Sequence, residues 1–200
     1  MIQAITDRRS IRRYKPTEVP REIIEEILKA GMLAPSSKNR QPWRFIVAEG
    51  SAKEEALTAM ERGLEREKYC PLLPESAAYI SDAWHTLSIM KQAPVIIFIV
   101  NTLGADLGKP FTAEERIFEI CNAQSIGAAI ENMTLAATQL GLGSLWICNT
   151  FFAQKELCGW LNTEGELYAA LAAGYADEAP LARPRKSVGD VVEWRDGSNG

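Results

Sequence analysis

A single α+β domain is the fold class this sequence predicts, and three observations predict it. Amphipathic helical stretches alternate with short apolar, β-branched runs along the whole chain. No internal repeat and no interdomain linker divides the 200 residues, which suffice for one ordinary domain, 1–200, with a buried core. The composition, 46% hydrophobic and 24% charged, is that of a soluble globular protein.

The elements follow in order. Met1 to Arg9 alternates polar and apolar residues and lacks the apolar centre of a secretory signal, so cytoplasmic residence is the expectation. From Pro20 to Leu33, Ile23, Ile24, Ile27 and Leu28 share one helical face with Glu22, Glu25, Glu26 and Lys29 opposite, and Pro35 stops the helix. Phe45-Ile46-Val47 reads as a short strand. Ser51 with Glu54 reads as a capping box opening a charged helix that reaches about Lys68. Tyr69 to Tyr79 is a Pro-containing connection, Ser81 to Gln92 a helix, and Val95 to Val100 a buried strand. Thr102 to Pro110 is Gly-rich and reads as mobile. Thr112 and Glu115 form a second capping box, and Ile126, Ile130, Met133, Ala137 and Leu140 then recur at helical steps, with Gly141 as the C-terminal cap. Leu145-Trp146-Ile147 is a strand, Gln154 to Leu161 a helix, Leu167 to Tyr175 an apolar strand, and the tail Pro180 to Lys186 is extended.

Charge and cysteine usage exclude several classes of function. A formal net charge of -4 gives no broad attraction to nucleic acid or anionic lipid, so neither is expected as a partner. The longest strongly apolar run, Val95 to Val100, falls far short of the roughly 20 residues of a membrane-spanning helix. Cys70, Cys121, Cys148 and Cys158 are widely spaced, with no C-x-x-C pair and only His85 to assist them, which argues for reduced thiols and against a metal site.

Against that acidic background, Arg8-Arg9-Ser10-Ile11-Arg12-Arg13 concentrates four arginines, which points to a local anion site. About one helix later, Pro35-Ser36-Ser37-Lys38-Asn39-Arg40-Gln41-Pro42-Trp43 combines hydroxyls, amides, fixed prolines and a large aromatic, as a ligand-lining loop does. Each piece alone has a plainer reading: a solvated basic face, an ordinary turn, and, for Trp146 and Ile147, core strand residues. His85, in a helical stretch, reads as structural or exposed.

Four segments in order resemble the nitroreductase-like family of flavin enzymes, nearly end to end. They are Arg8 to Ser10; Ala34 to Trp43; Ser125-Ile126-Gly127-Ala128-Ala129-Ile130-Glu131-Asn132 leading to Gly141-Leu142-Gly143; and Arg183-Pro184-Arg185-Lys186. The resemblance implies a nitroreductase-like fold, with a central mixed or antiparallel sheet flanked by helices, in an intertwined homodimer that holds FMN at its interface. It implies that Arg8, Arg9 and Ser10 hold the phosphate and ribityl end and that Arg183, Arg185 or Lys186 closes the same cluster. Arg12 is expected nearer the ring, where a cation stabilises the charge of the reduced form. Pro35, Ser36, Ser37 and Asn39 are expected to reach the flavin of the partner subunit. Trp146, Ile147 and Cys148 are expected along one flavin face, Cys148 acting through its main-chain N–H.

No G-x-G-x-x-G follows any strand, so a separate dinucleotide domain is not indicated. The resemblance implies NAD(P)H as reductant, hydride passing through the flavin to a nitroaromatic, quinone or similar electrophile, and a ping-pong order in one pocket. No catalytic protein group beyond the flavin is required. Relatives that carry out reductive dehalogenation, flavin breakdown or oxidation of peptide-derived heterocycles stay open, the deciding residues lying in 61–79 and 102–111, as does a flavin carrier or sensor without turnover. Two departures stand out. Longer members contribute an Asn and a Lys near the flavin pyrimidine edge, without counterpart between Ala52 and Lys68, and the stretch after Trp194 leaves little for a long embracing arm.

Overall fold

In chain order the helices are α1 (Gln3–Asp7), α2 (Arg21–Met32), α3 (Gly50–Tyr69), α4 (Ile80–Gln92), α5 (Ala113–Gln139), α6 (Gln154–Leu161) and α7 (Val188–Val191). The strands are β1 (Trp43–Ala48), β2 (Val95–Asn101), β3 (Gly143–Ile147) and β4 (Glu166–Gly174). The structure, a computed structural model, describes residues 1–71, 74–106 and 108–195.

The four strands form one sheet in the order β1-β2-β4-β3, each neighbouring pair antiparallel. All seven residues of β2 are buried, because both faces of the sheet are covered. Its side chains alternate between two cores, as strand geometry requires. Ile96, Phe98 and Val100 pack with Leu57, Met60 and Leu64 of α3, Leu87 and Met90 of α4, and Leu157 of α6. Val95, Ile97 and Ile99 pack with Ile24 and Ile27 of α2 and with Ile126, Ile130 and Met133 of α5. In β4 the alternation breaks once. Ile99 pairs with Ala169 and Val100 with Leu167, so Tyr168 is an extra residue in the ladder and faces the same core as Ala169.

Most predicted elements are present, with instructive departures. The Ser51–Glu54 capping box does not form: Gly50, at φ +51°, opens α3 two residues earlier than a Ser51 cap implies, which leaves Glu49 at the N-cap without a side-chain bond. The Thr112–Glu115 box does form, its two reciprocal bonds measuring 3.2 and 2.8 Å. At the other end of α5, Gly141 at φ +79° completes the left-handed cap, donating to Thr138 at 3.1 Å while Leu142 donates to Ala137 at 2.8 Å. Leu140, the last position of the predicted α5 stripe, is the C-cap and is exposed instead.

Residues 102–106, read from sequence as mobile, are tied down from below. The buried Glu119 carboxylate accepts from Ala105 N–H at 2.9 Å and from Asn101 Nδ2 at 3.2 Å, while Asn101 Oδ1 accepts from Leu103 N–H at 3.1 Å. Short α1 and α7 were not apparent from periodicity, and neither was the 3-10 turn Pro74–Tyr79 inside the predicted connection. Among the described residues no helix is long and apolar enough to cross a membrane.

Candidate functional site

The two ends of the chain meet beside β3 and β4. After α1 the segment Arg8 to Lys15 runs along the sheet margin: Ile11 N–H donates to Ser144 O at 2.9 Å, Lys15 N–H to Tyr175 O at 2.9 Å, and Asp177 N–H back to Arg13 O at 2.9 Å. Ile11 and Tyr14 are the buried anchors of this segment. Its close approach requires a glycine opposite, since a Cβ on Gly143 would lie 2.6 Å from Ile11 Cγ1. The Tyr14 hydroxyl donates to Ile11 O at 2.9 Å, and burial raises its pKa well above that of a free phenol. Glu178, just past β4, accepts from the backbone N–H groups of Arg12 and Arg13 and pairs with Arg13 Nε at 3.5 Å. That carboxylate therefore clamps the backbone and leaves the Arg12 guanidinium uncommitted to it.

With the ends so joined, a cleft of about 510 Å³ opens between them, lined by Arg8, Arg9, Ser10 and Arg12 on one side and Arg183 and Arg185 on the other. Five guanidiniums line it and, among the described residues, no carboxylate does. Their internal partners are mostly neutral. Arg9 Nη1 donates to Thr6 O and Arg8 O, both at 2.8 Å, Arg12 Nη1 to Ser10 O at 3.2 Å, and Arg185 Nη1 to Arg183 O at 3.4 Å. Among the described residues Arg8 alone of the five has an ion-pair partner, Glu131 of α5, at 3.4 Å. Like charges gathered without counterions cost stability unless an anion joins them, and guanidinium forks match a phosphate group. Lys186, offered by the sequence as an alternative third cation, is not among the lining residues.

Arg12 and Arg183 also line a second cleft, of about 480 Å³, together with Trp146, Ile147 and Cys148. Trp146 is 39% exposed, whereas its strand neighbours Leu145 and Ile147 are buried. Cys148 follows the last paired residue of β3, and burial pushes its thiol pKa up. The opposite ends of one ligand are thus provided for: an anionic group among the arginines, and a planar aromatic group at the indole and the strand end. FMN has that form, so the donor set fits it.

One wall of this second cleft escaped the sequence reading. α4 contributes Asp82, His85, Thr86 and Ile89, and the Asn149 side chain joins them, its Nδ2 donating to Thr86 Oγ1 at 2.9 Å. The steps of three, one and three along α4 were visible in the sequence, but nothing local told which cleft they face.

The predicted Pro35 to Asn39 residues line neither cleft. Ser37 to Asn39 form a 3-10 turn against α5, with Ser37 N–H donating to Ser125 Oγ at 3.2 Å. Lys38, Asn39 and Gln41 all have positive φ, 53°, 54° and 48°, so the loop is strained and is held by Ser36 Oγ, which accepts from Gln41 N–H at 3.0 Å. Beside it α5 exposes Ile117, Phe118 and Ile120, with the Arg40 guanidinium 5.1 Å from the Phe118 ring centre.

The model of the nitroreductase family matches residues 5–175, from within α1 to the end of β4. The chain belongs to the nitroreductase family. A protein of Archaeoglobus fulgidus named as an NADH dehydrogenase/NAD(P)H nitroreductase is 35% identical over 147 residues, 73% of this chain and 66% of that protein. A similarly named protein of Methanothermobacter thermautotrophicus is 31% identical over 73% of this chain and 59% of its own length. The match thus spans about six-tenths of these two curated relatives. A nitroreductase of Desulfovibrio desulfuricans, solved in complex with FMN, is 28% identical, with a TM-score of 0.70 over 96% of this chain and 95% of the other. The nitroreductase match ends before Arg183 and Arg185, so the tail side of the arginine cleft is supplied by residues outside it.

Proposed function

We propose that this nitroreductase-family chain is an FMN-dependent oxidoreductase that takes hydride from NAD(P)H and passes it to a nitroaromatic, quinone or similar small electrophile by a ping-pong mechanism. The observation that carries this reading is the arginine cleft, continuous through Arg12 and Arg183 with the cleft at Trp146, Ile147 and Cys148. Bound FMN supplies reversible hydride chemistry; the protein's part is to place and tune it. Arg8, Arg9, Ser10, Arg183 and Arg185 bind the phosphate end. Arg12, at the junction, brings a positive charge toward the ring, and the Cys148 main chain contacts it with a polar N–H. Trp146 and Ile147 give the ring an apolar face that excludes water. Reductant and acceptor then occupy the rest of the ring-end cleft in turn. Support comes also from the FMN complex of the D. desulfuricans relative.

A second copy of the chain completes the site in this reading. Ser36, Ser37 and Asn39, which line neither cleft of their own subunit, serve the partner's flavin, and the exposed Ile117, Phe118 and Ile120 of α5 are covered by the same contact. All four cysteines are free thiols, which suits a reducing cytoplasm.

The visible spectrum of the purified protein tests the cofactor, and stopped-flow mixing with NADH and NADPH tests turnover: bleaching of the flavin bands is expected, and an unchanged spectrum means a carrier. Initial-rate plots against both substrates are expected to be parallel. Intersecting lines defeat the single-pocket order, and a monomer by light scattering defeats the shared site.

A further inference from the structure

Two titratable side chains, Asp82 and His85, stand in the ring-end cleft without a part in the proposed function. His85 belongs to the α4 stripe Asp82, His85, Thr86 and Ile89 that lines this cleft with Trp146 and Cys148. The stripe is fixed in place. Leu87 and Met90 anchor the other side of α4 in the core, and Thr86, next to His85, is bonded to Asn149, next to Cys148, at 2.9 Å. The imidazole itself is exposed and makes no hydrogen bond or ion pair among the described residues.

The charged and titratable groups sharing the cleft with it are Asp82 from its own helix, Arg12 from the N-terminal segment, Arg183 from the tail, and the Cys148 thiol, which burial keeps protonated at neutral pH. Under the functional reading both arginines are engaged by the cofactor. An imidazole is the side chain suited to exchanging a proton between about pH 5 and 8. Reduction of a quinone to a hydroquinone consumes one hydride, which the cofactor supplies, and one proton, which the oxygen must receive from elsewhere. Reduction of a nitro group to a nitroso group and water consumes the same pair.

We propose that His85 is a catalytic residue of the acceptor half-reaction: its protonated imidazole gives the proton to the quinone or nitro oxygen, becomes neutral, and regains a proton from the solvent to which it is open. This assignment rests on the FMN-dependent function proposed above.

The test compares wild type with His85→Gln, each loaded with FMN, reduced anaerobically with dithionite and mixed with benzoquinone or with ferricyanide, which accepts electrons without taking up a proton. Reoxidation by benzoquinone is expected to slow about 10²-fold or more, the usual contribution of a positioned general acid, while the ferricyanide rate stays. Added imidazole is expected to restore part of the benzoquinone rate to His85→Ala. An unchanged benzoquinone rate, or equal slowing with both acceptors, overturns the proposal. A second readout needs no turnover. His85 is the single histidine of the chain, so its ring-proton resonances are assigned at once, and they are expected to shift when benzoate, an unreactive aromatic oxygen acceptor, fills the cleft of the oxidised protein. Resonances that do not move overturn it as well. A protein that takes up no FMN defeats the functional reading and this assignment together; a yellow protein whose His85→Gln variant reduces benzoquinone at the wild-type rate defeats only the assignment.

Discussion

Replacing Arg183 by alanine separates what the arginine cleft does for the fold from what it does for a ligand. The Arg183 side chain is exposed and makes no hydrogen bond or ion pair among the described residues, yet the residue lines both clefts. Its removal therefore takes nothing from the apoprotein and relieves part of the repulsion among five guanidiniums. The bound state loses a charge-assisted contact to phosphate, about 1.5 to 3 kcal/mol, which corresponds to a dissociation constant weakened about 10- to 150-fold. The lower end is the better expectation because the group is open to solvent, where salt and water screen it. Quenching of flavin fluorescence on titrating apoprotein into FMN measures the affinity, and thermal melting of the apoprotein measures the fold. Riboflavin, which lacks the phosphate, provides the internal control: its binding should not respond to Arg183→Ala. An FMN affinity within twofold of wild type, or an equal loss for riboflavin and FMN, refutes the phosphate assignment of this cleft.

Three further outcomes follow from the same geometry. Gly143→Ala puts a methyl group 2.6 Å from Ile11 Cγ1, so the segment bearing Arg8 to Arg13 must shift; an overpacking loss of about 1 to 3 kcal/mol in denaturant melts is expected, together with weaker FMN binding, and an unaltered melt shows that the segment adapts freely. Burial acts to raise the Glu156 pKa, but the 2.7 and 3.1 Å hydrogen bonds from Arg66 prevail and hold its carboxyl below the ordinary value. A lowered carboxylate stabilises the fold above its unfolded pKa, about 4.3 for a glutamate, and that stability is lost as pH falls below it, so the melting temperature of Glu156→Gln should depend less on pH in that acid range than that of wild type. Because burial raises the Cys148 thiol pKa, iodoacetamide should label it slowly at pH 7, and Cys148→Ser should keep both FMN binding and turnover if only its main chain is used; loss of flavin from that variant counts against the assignment.

The sequence by itself determined the elements and the chemical character of the site. A continuous apolar, β-branched run marked β2 because both its faces are buried, and period-3.6 patterns marked α2 and α5 because each buries one face and its spacing records it. Thr112, Glu115 and Gly141 marked the ends of α5 through bonds that local residues make among themselves. The N-terminal arginines read as a local anion site against an acidic background, and the tail arginines joined them only through the family resemblance. Ser51 misled because a capping pattern names a preference, and Gly50 next to it took the turn.

Only the tertiary structure decided which of these residues meet. Hydrogen bonds from Ile11 to Ser144 and from Asp177 to Arg13 bring Arg8 and Arg12 to Arg183 and Arg185 across more than half the chain, while Lys186 stays out. The α4 wall with His85 owes its place to the same cause: the face a helix turns to a cleft is set by what it packs against, here the core beneath Leu87 and Met90 and the bond from Asn149. Local sequence fixes a helix and its stripe; long-range packing fixes where the stripe points.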